Sequence, residues 1–214
     1  LSNTVIENCV NYGTIKAENG GGVGGIIGSM ISCNIYVKNS TNYGDITAKT
    51  NVGGILGNYN EYNPQRPACK IIACYNAGVV KGQTNVGGIA GYFKGKKSNN
   101  AEVEIKDCYS AGDVNCPSWS TKYVFAGYSQ DMIVTDSVYS CAETEDDSML
   151  DGTFVSPTYI EAVKKLTVDT VSKVDDAEKI REVGWVVKKM ELAPLSDDDK
   201  AFVALYKELK AAIE

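Results

Sequence analysis

The sequence contains no histidine and no Cys-x-x-Cys pair, although it has seven cysteines. Zinc sites depend on these ligand patterns, so no metal centre is expected. Histidine is also the commonest general base, and the chain has no HExxH, GxSxG or Cys–His arrangement. Nothing in the sequence therefore predicts a nucleophilic active site or a bound cofactor, and the glycine-rich stretches lack the spacing of a nucleotide-binding loop.

Long basic runs and long apolar runs are missing as well. The formal net charge is −6, and no apolar stretch approaches the roughly 18 residues of a membrane-spanning helix. We therefore expect neither nucleic-acid binding nor membrane insertion. The chain starts at Leu1 in mid-pattern without a basic or apolar leader, which indicates a monomeric module of a longer protein.

Glycine and tyrosine are abundant, with 21 and 13 copies, and almost all of them precede residue 143. Residues 1–142 carry 11 basic and 10 acidic side chains, a net charge of +1, whereas residues 143–214 carry 10 and 17, a net charge of −7. The second part is rich in Ala, Lys, Glu and Leu, which is typical of helices. This change predicts two domains, residues 1–150 and residues 151–214.

Two short phrases recur through the first part of the chain. One reads VGGIIG at 23–28, VGGILG at 52–57 and VGGIAG at 86–91. The other precedes it each time, at 9–15, 40–46 and 74–80, so that the units are 31 and 34 residues apart. Such spacings are typical of stacked repeats. The glycines that the copies of the first phrase share are Gly24, Gly25, Gly28, Gly53, Gly54, Gly57, Gly87, Gly88 and Gly91.

Apolar residues alternate with polar ones within each unit and predict three short strands per unit. Three rows of apolar residues align between units and are expected to face inward. The rows are Ile6, Val37, Ile71 and Ile105; Ile15, Ile46, Val80 and Val114; and Ile26, Ile55, Ile89 and Phe125. These rows predict a mostly β fold, a right-handed parallel β-solenoid (β-helix) of about four to five coils. The alternative is a prism or sandwich in which each unit forms a small antiparallel sheet.

The later units depart from the pattern. The fourth has Tyr123 and Val124 where the others have paired glycines, and a fifth, at 132–141, keeps Ile133 and a short polar phrase. Terminal repeats are often atypical, so the fifth is expected to close the stack. Cysteine recurs at the position of Ser40 in three units, which predicts a buried ladder of small side chains. A disulfide between the third and fourth units stays possible at that spacing. These cysteines are Cys9, Cys74 and Cys108.

Helical periodicity begins near Pro157 and predicts a small bundle of two or three helices. Ser172 and Asp175 suggest a capping box for the second helix, and Ser196 is expected to cap the third. The apolar residues predicted to face inward are Ile160, Val163 and Leu166 in the first helix, Ile180, Val183, Val187 and Met190 in the second, and Phe202, Tyr206, Leu209 and Ile213 in the third.

The two repeated phrases resemble the GLUG repeat family of bacterial surface proteins and adhesins, over residues 5–127. Residues 172–214 look like the short helical modules of large Gram-positive surface proteins. Both resemblances imply a secreted or cell-surface protein. They imply adhesion, binding or spacing, without catalysis, and a host or bacterial surface glycan or protein as partner.

Two sets of repeated polar residues are candidates for structure or binding. Asn11, Asn42 and Asn76, with Ser110 in the fourth unit, are expected to form an amide ladder between units. Tyrosines recur at matching positions and predict an aromatic strip for sugar rings or a protein, next to the loops 58–68 and 93–101. These tyrosines are Tyr12, Tyr43, Tyr75, Tyr109, Tyr92 and Tyr128.

A carbohydrate-active enzyme is the competing hypothesis, because polysaccharide lyases and hydrolases also occur on parallel β-helices. Such enzymes need paired carboxylates or a raised basic residue. Asp45 and Asp113 occupy matching positions, but Val79 lies between them in the third unit. The acidic run at 143–151 fits no twelve-residue calcium loop. The sequence therefore favours the non-catalytic module.

Overall fold

The computed structural model describes residues 4–31, 34–60, 68–95, 102–117, 122–130, 132–140 and 152–214. These residues form a mostly β protein with parallel sheets and three helices near the C-terminus. None of the helices in the described ranges is long and apolar enough to cross a membrane.

The strands follow the units of the sequence. The first unit contains β1 (Thr4–Glu7), β2 (Val10–Asn11), β3 (Ile15–Gly24) and β4 (Ile27–Ile31). The second contains β5 (Ile35–Lys38), β6 (Thr41–Asn42), β7 (Ile46–Gly53) and β8 (Leu56–Asn60). The third contains β9 (Ala68–Ile72), β10 (Tyr75–Asn76), β11 (Val80–Lys81), β12 (Thr84–Gly87) and β13 (Ala90–Lys94).

The last two units are less complete in the described part of the chain. The fourth contains β14 (Glu102–Lys106), β15 (Tyr109–Ser110), β16 (Val114–Asn115), β17 (Lys122–Tyr123) and β18 (Ala126–Gln130). The fifth contains β19 (Met132–Thr135) and β20 (Ser137–Tyr139), and β21 (Gly152–Phe154) pairs with β20. This last strand lies beyond residue 150, where the sequence predicts the domain boundary.

Equivalent strands of successive units lie side by side in four sheets. The first sheet has the order β1-β5-β9-β14-β19 and the second β2-β6-β10-β15-β20-β21. The third has the order β16-β11-β7-β12-β17 with β3 on β7, and the fourth β18-β13-β8-β4. The pairs formed by the described strands are parallel, as expected of a β-helix, whereas small sheets within each unit would need antiparallel pairs.

The strand register confirms the predicted apolar rows. Ile6 pairs with Val37, Val37 with Ile71 and Ile71 with Ile105. The row that starts at Ile15 also matches in register, and backbone hydrogen bonds join the row that starts at Ile26. In the second, third and fourth units all three rows are buried, because each unit covers the apolar residues of the next.

The number of strands in each unit differs from the prediction. Three strands per unit were expected. A corner in the chain divides the first predicted strand of each unit into two strands, so the units form four sheets. The corner residue has a left-handed backbone in every unit, and Asn and Asp tolerate this conformation better than other residues with a Cβ. The corner residues are Asn8, Asn39, Ala73, Asp107 and Asp136, with φ between 44° and 57°.

The fifth unit also differs in detail. Ile105 pairs with Val134, which is buried, whereas Ile133 pairs with Glu104 and is 49% exposed. Successive residues of a strand point to opposite faces, so Val134 continues the buried row and Ile133 faces outward.

The paired glycines are required because adjacent units approach each other closely. A Cβ atom on Gly53 would overlap the backbone of Gly91 in the next unit, and one on Gly54 would overlap the Asn76 side chain and the Gly88 carbonyl. Gly24, Gly25, Gly87 and Gly88 meet the unit that follows them in the same way. In the third and fourth sheets, no described strand follows the strands of the fourth unit. The side chains of Tyr123 and Val124 therefore do not overlap a described strand of a following unit.

Three helices follow the strands: α1 (Pro157–Val163), α2 (Ala177–Met190) and α3 (Asp197–Ile213). Ser196 caps α3 as predicted, because its side chain accepts a hydrogen bond from the Asp199 backbone N–H. The predicted box at Ser172 forms a turn ahead of α2 instead, and Asp176 is the residue that precedes the helix. Most of the predicted apolar positions are buried, while Leu166, Tyr206 and Ile213 are partly buried.

The helices pack against the outer face of the second sheet. One hydrophobic cluster joins Tyr75, Tyr109 and Val138 of that sheet to residues of all three helices, including Ile160, Val187 and Phe202. The helical segment therefore lies along the side of the stack and extends over its fifth unit.

Gly54→Ala tests the close approach between units. The added methyl group would overlap both a backbone carbonyl and a buried amide, so we expect the free energy of unfolding to fall by about 3 kcal/mol or more. Gly13→Ala is the matched control, because its Cβ would meet only the Asn11 Oδ1 atom at 3.6 Å. Urea denaturation of both variants measures the difference, and equal stabilities would contradict the close approach.

Candidate functional site

The predicted amide ladder forms in the structure. Asn11 Nδ2 donates to Asn42 Oδ1 at 2.7 Å, and Asn42 Nδ2 donates to Asn76 Oδ1 at 2.8 Å. Each Nδ2 also donates to the carbonyl two residues ahead, at Gly13, Gly44 or Gly78. Asn42 and Asn76 are fully buried, so these residues are structural and do not contact a ligand.

The ladder ends at Ser110, whose hydroxyl is buried and has no hydrogen-bond partner among the described residues. The shorter side chain occupies the position of the asparagines, and Gly88 leaves space beside it. The fourth unit therefore loses the amide bond that joins the first three.

Two of the three cysteines predicted to form a buried ladder, Cys74 and Cys108, are buried, whereas Cys9 is partly buried. Cys74 and Cys108 are thiols, and each donates to a carbonyl oxygen of the preceding unit, at Val37 and Ile71 respectively. Burial raises the pKa of the Cys108 thiol well above its usual range, with a further contribution from Cys74. This raised pKa disfavours the reactive thiolate of Cys108. Cys74 and Cys108 are both at most 1% exposed, so they act as small core residues.

Two of the predicted binding tyrosines lie inside the protein. Tyr75 and Tyr109 stack with ring centroids 5.0 Å apart, and both are at least 95% buried beneath the helices. The Tyr109 hydroxyl bonds to Ser140 at 2.6 Å. These rings hold the helical segment on the second sheet, which corrects the prediction that they belong to an exposed strip.

Tyr43 has a different role from the predicted one as well. Its hydroxyl accepts a hydrogen bond from the Ser196 backbone N–H at 2.7 Å and donates to Asp199 Oδ2 at 2.8 Å. Thr41 adds a bond of 2.8 Å to the Pro194 carbonyl. Burial, followed by the nearby Asp199 carboxylate, raises the pKa of Tyr43 to about 12. Tyr43 therefore attaches the start of α3 to the second unit.

A buried ion pair provides a second attachment. Lys189 of α2 is 95% buried and pairs with Asp107, the corner residue of the fourth unit. A cavity of about 190 Å³ lies between the same two surfaces, lined by Tyr75, Tyr109 and Phe202 among others. The contact between helices and sheet is thus apolar at its centre and polar at two points.

The exposed tyrosines lie elsewhere. Tyr12 stacks on Tyr43 with centroids 5.2 Å apart and is 66% exposed at the first unit. Tyr92 and Tyr128 stack at 4.5 Å with their planes 4° apart on the outer face of the fourth sheet. Of the six predicted tyrosines, Tyr12 and Tyr128 are exposed, Tyr43 and Tyr92 are partly exposed, and Tyr75 and Tyr109 are buried.

The outer face of the fourth sheet carries two parallel columns of side chains, which we call the fourth-sheet face. Residues of the first column come directly after the third glycine of the repeated phrase in each unit. Residues of the second column lie two positions further along the same strands. The columns are Ser29, Asn58, Tyr92 and Tyr128, and Ile31, Asn60, Lys94 and Gln130. Tyr92 and Tyr128 were predicted from the sequence, but the polar members of the columns were not, although each lies at a constant distance from the third glycine of its unit.

The geometry of the stacked rings determines what this face offers. Tyr92 and Tyr128 cover one face of each other, so the outward side presents ring edges, hydroxyls and the Asn58 amide, which donates to Ser29 at 2.9 Å. Tyr128 is 38% exposed, and no described strand of the fourth sheet follows β18. One ring face is therefore open at the end of the column.

The remaining candidates from the sequence are an aspartate, two loops and an acidic run. The Asp45 carboxylate accepts a hydrogen bond from the Val79 backbone N–H at 3.0 Å, which gives it a structural role. Most of the two predicted binding loops, at 61–67 and 96–101, and the acidic run at 143–151 lie outside the described residues.

Comparison with known proteins gives no match, whether the chain is compared with family models, curated proteins or solved structures.

Tyr43→Phe tests the attachment of α3. The variant loses hydrogen bonds to Ser196 and Asp199, so we expect it to be about 1–2 kcal/mol less stable at pH 7. Tyr12→Phe, which alters an exposed hydroxyl, should have no effect. The pKa of Tyr43 is raised in the folded protein, so its stabilising contribution is complete below pH 10 and declines between pH 10 and pH 12. Denaturation of both variants across this range measures it, and a constant difference would refute the assignment.

Proposed function

We propose that residues 1–150 form a right-handed parallel β-solenoid of four to five coils that serves as a non-catalytic binding module. Each of the first four units contributes to all four sheets, and equivalent strands pair in parallel, which supports a coiled path. The right hand follows from the strong preference of parallel crossover connections. The helical segment then acts as a side support of the solenoid.

The observation that carries the binding proposal is the fourth-sheet face. Its columns repeat at the spacing of the units and combine two tyrosines with amide, hydroxyl and lysine side chains. The helices pack on the second sheet and leave this face uncovered, since Tyr128 is 38% exposed. A regular array of hydrogen-bonding groups suits a ligand that is itself repetitive, which favours a glycan over a folded protein.

The resemblance of the repeated phrases to GLUG repeats supports a secreted or cell-surface origin, and with it adhesion or spacing as the role. The competing polysaccharide lyase or hydrolase would use Asp45 and Asp113. Asp45 is already engaged with Val79, and the two positions are separated by the whole third unit, or about 10 Å at the usual strand spacing. The module is therefore the better-supported proposal.

A glycan array with the wild type and the Tyr92→Ala/Tyr128→Ala double variant tests the proposal. We expect the wild type to bind at least one surface glycan and the double variant to bind it about tenfold more weakly or less, because aromatic contacts contribute roughly 1–3 kcal/mol. Tyr36→Ala, on the first sheet, is the matched control and should bind normally.

An activity assay on the bound polysaccharide separates the two functions. The proposal expects binding without turnover. Turnover of the polysaccharide that is lost in Asp45→Asn would show that the protein is an enzyme instead. Glycan binding that is unchanged in the double variant would show that the fourth-sheet face is not the binding site.

A further inference from the structure

The outer side of the helical segment holds a pocket of about 460 Å³ between α2 and α3. It lies away from the second sheet, and its floor is formed in part by Ile180, which is buried. Its volume lies within the range typical of small-ligand pockets, which is about 300–1,000 Å³. The pocket is separate from the fourth-sheet face, so the inference drawn from it stands apart from the function proposed above.

The chemistry of the pocket is set by an aromatic ring and two cations. Trp185 lines it and is 47% exposed, although tryptophan is a residue that proteins seldom leave open to solvent. Lys188 lies over the Trp185 ring at 5.8 Å from its centroid, so a cation covers one face of the ring. Arg181 and Lys210 line the same pocket.

Two polar side chains that line the pocket have no hydrogen-bond or ion-pair partner among the described residues. The Arg181 guanidinium makes no ion pair or hydrogen bond within the described part of the chain, and neither does the Tyr206 hydroxyl. Burial raises the pKa of Tyr206, so its hydroxyl keeps its proton and can donate. Gly184 allows the Tyr206 hydroxyl to lie close against α2, because a Cβ at this position would lie 2.5 Å from the hydroxyl oxygen.

We propose that this pocket binds a carboxylated sugar residue of an acidic glycan. Trp185 would provide the apolar platform on which the flat side of a pyranose ring packs, and Arg181 would pair with the carboxylate through two parallel N–H donors. The Tyr206 hydroxyl would bond to a ring hydroxyl. An acidic peptide would satisfy Arg181 as well, but it would not need an open aromatic face beside the cation.

The charge around the pocket supports an anionic ligand. Residues 143–214 carry a net charge of −7, yet two of the three charged residues that line this pocket are cations. These are Arg181 and Lys210, with Glu214 as the acidic one, and Lys188 lies beside the pocket over the Trp185 ring. Lys210 is paired only at 3.6 Å with Glu214, and both side chains are more than half exposed, so that pair is weak. A carboxylate on the ligand would compensate the unpaired charge of Arg181.

Calorimetric titration with tetragalacturonate and 3′-sialyllactose tests the proposal. The uncharged matches are the fully methyl-esterified tetragalacturonate and the methyl ester of 3′-sialyllactose, which keep all the rings and remove the negative charge of the carboxylates. We expect at least one acidic sugar to bind and its uncharged match to bind at least tenfold more weakly, because a charge-assisted hydrogen bond contributes about 1.5–3 kcal/mol.

Variants locate the binding. Arg181→Gln and Trp185→Ala should each weaken binding about tenfold or more, and both residues are exposed enough for the fold to survive. Lys165→Gln, an exposed cation outside the pocket, and Tyr36→Ala, on the first sheet, should leave binding unchanged. Arg181 and Trp185 lie outside the fourth-sheet face, so their variants test this inference separately from the proposed function.

Three results would overturn the proposal: no binding of either acidic sugar, equal binding of the uncharged matches, or equal binding by Arg181→Gln. Tetraglutamate is the remaining probe. If it bound as tightly as the acidic sugars and with the same dependence on Arg181, the ligand would be an acidic polypeptide and the carbohydrate assignment would be wrong.

Discussion

The fit of a buried asparagine in one unit against a glycine in the unit before it is the contact on which the stack depends. Asn42 fills the space beside Gly25, and Asn76 fills the space beside Gly54. Asn42 also donates to Asn76 in the next unit, and each of the two asparagines donates to a carbonyl of its own turn. A side chain at either glycine would push the units apart and break the amide bonds, so the two repeated phrases belong to one interaction.

This contact explains where the repeat is strict and where it relaxes. The glycines are kept wherever another unit follows on the third and fourth sheets, and they give way to Tyr123 and Val124 where no described strand of those sheets follows. Ser110 replaces asparagine in the same fourth unit, and its hydroxyl has no partner among the described residues. The helices pack on the second sheet beside these last units, where Lys189 pairs with Asp107.

Much of the fold was predictable because a stack repeats its own contacts. The rows through Ile6, Ile15 and Ile26 follow directly from the alignment of units, and Ser196 caps α3 because capping is a local interaction. The division between the first and second sheets was missed because its signal is one left-handed residue per unit. Asn and Asp mark that corner in four units, but Ala73 hides it in the third.

The roles of the tyrosines could not be predicted, because they depend on contacts with helices far away along the chain. Tyr43 meets Ser196, which is 153 residues away, and Tyr75 and Tyr109 are covered by helices whose position no local pattern indicates. Equivalent residues of a repeat thus acquire different roles. The same side-on packing directs Trp185 and Arg181 away from the sheet and towards solvent.

Side-chain amide hydrogen exchange, measured by NMR, tests the asparagine ladder most directly. The account predicts that the Nδ2 protons of Asn42 and Asn76 exchange as slowly as buried strand amides and show cross-unit contacts between residues 34 positions apart. Asn11, which is only partly buried, should exchange faster. Fast exchange at Asn42 and Asn76 without such contacts would contradict the stacked arrangement of the units.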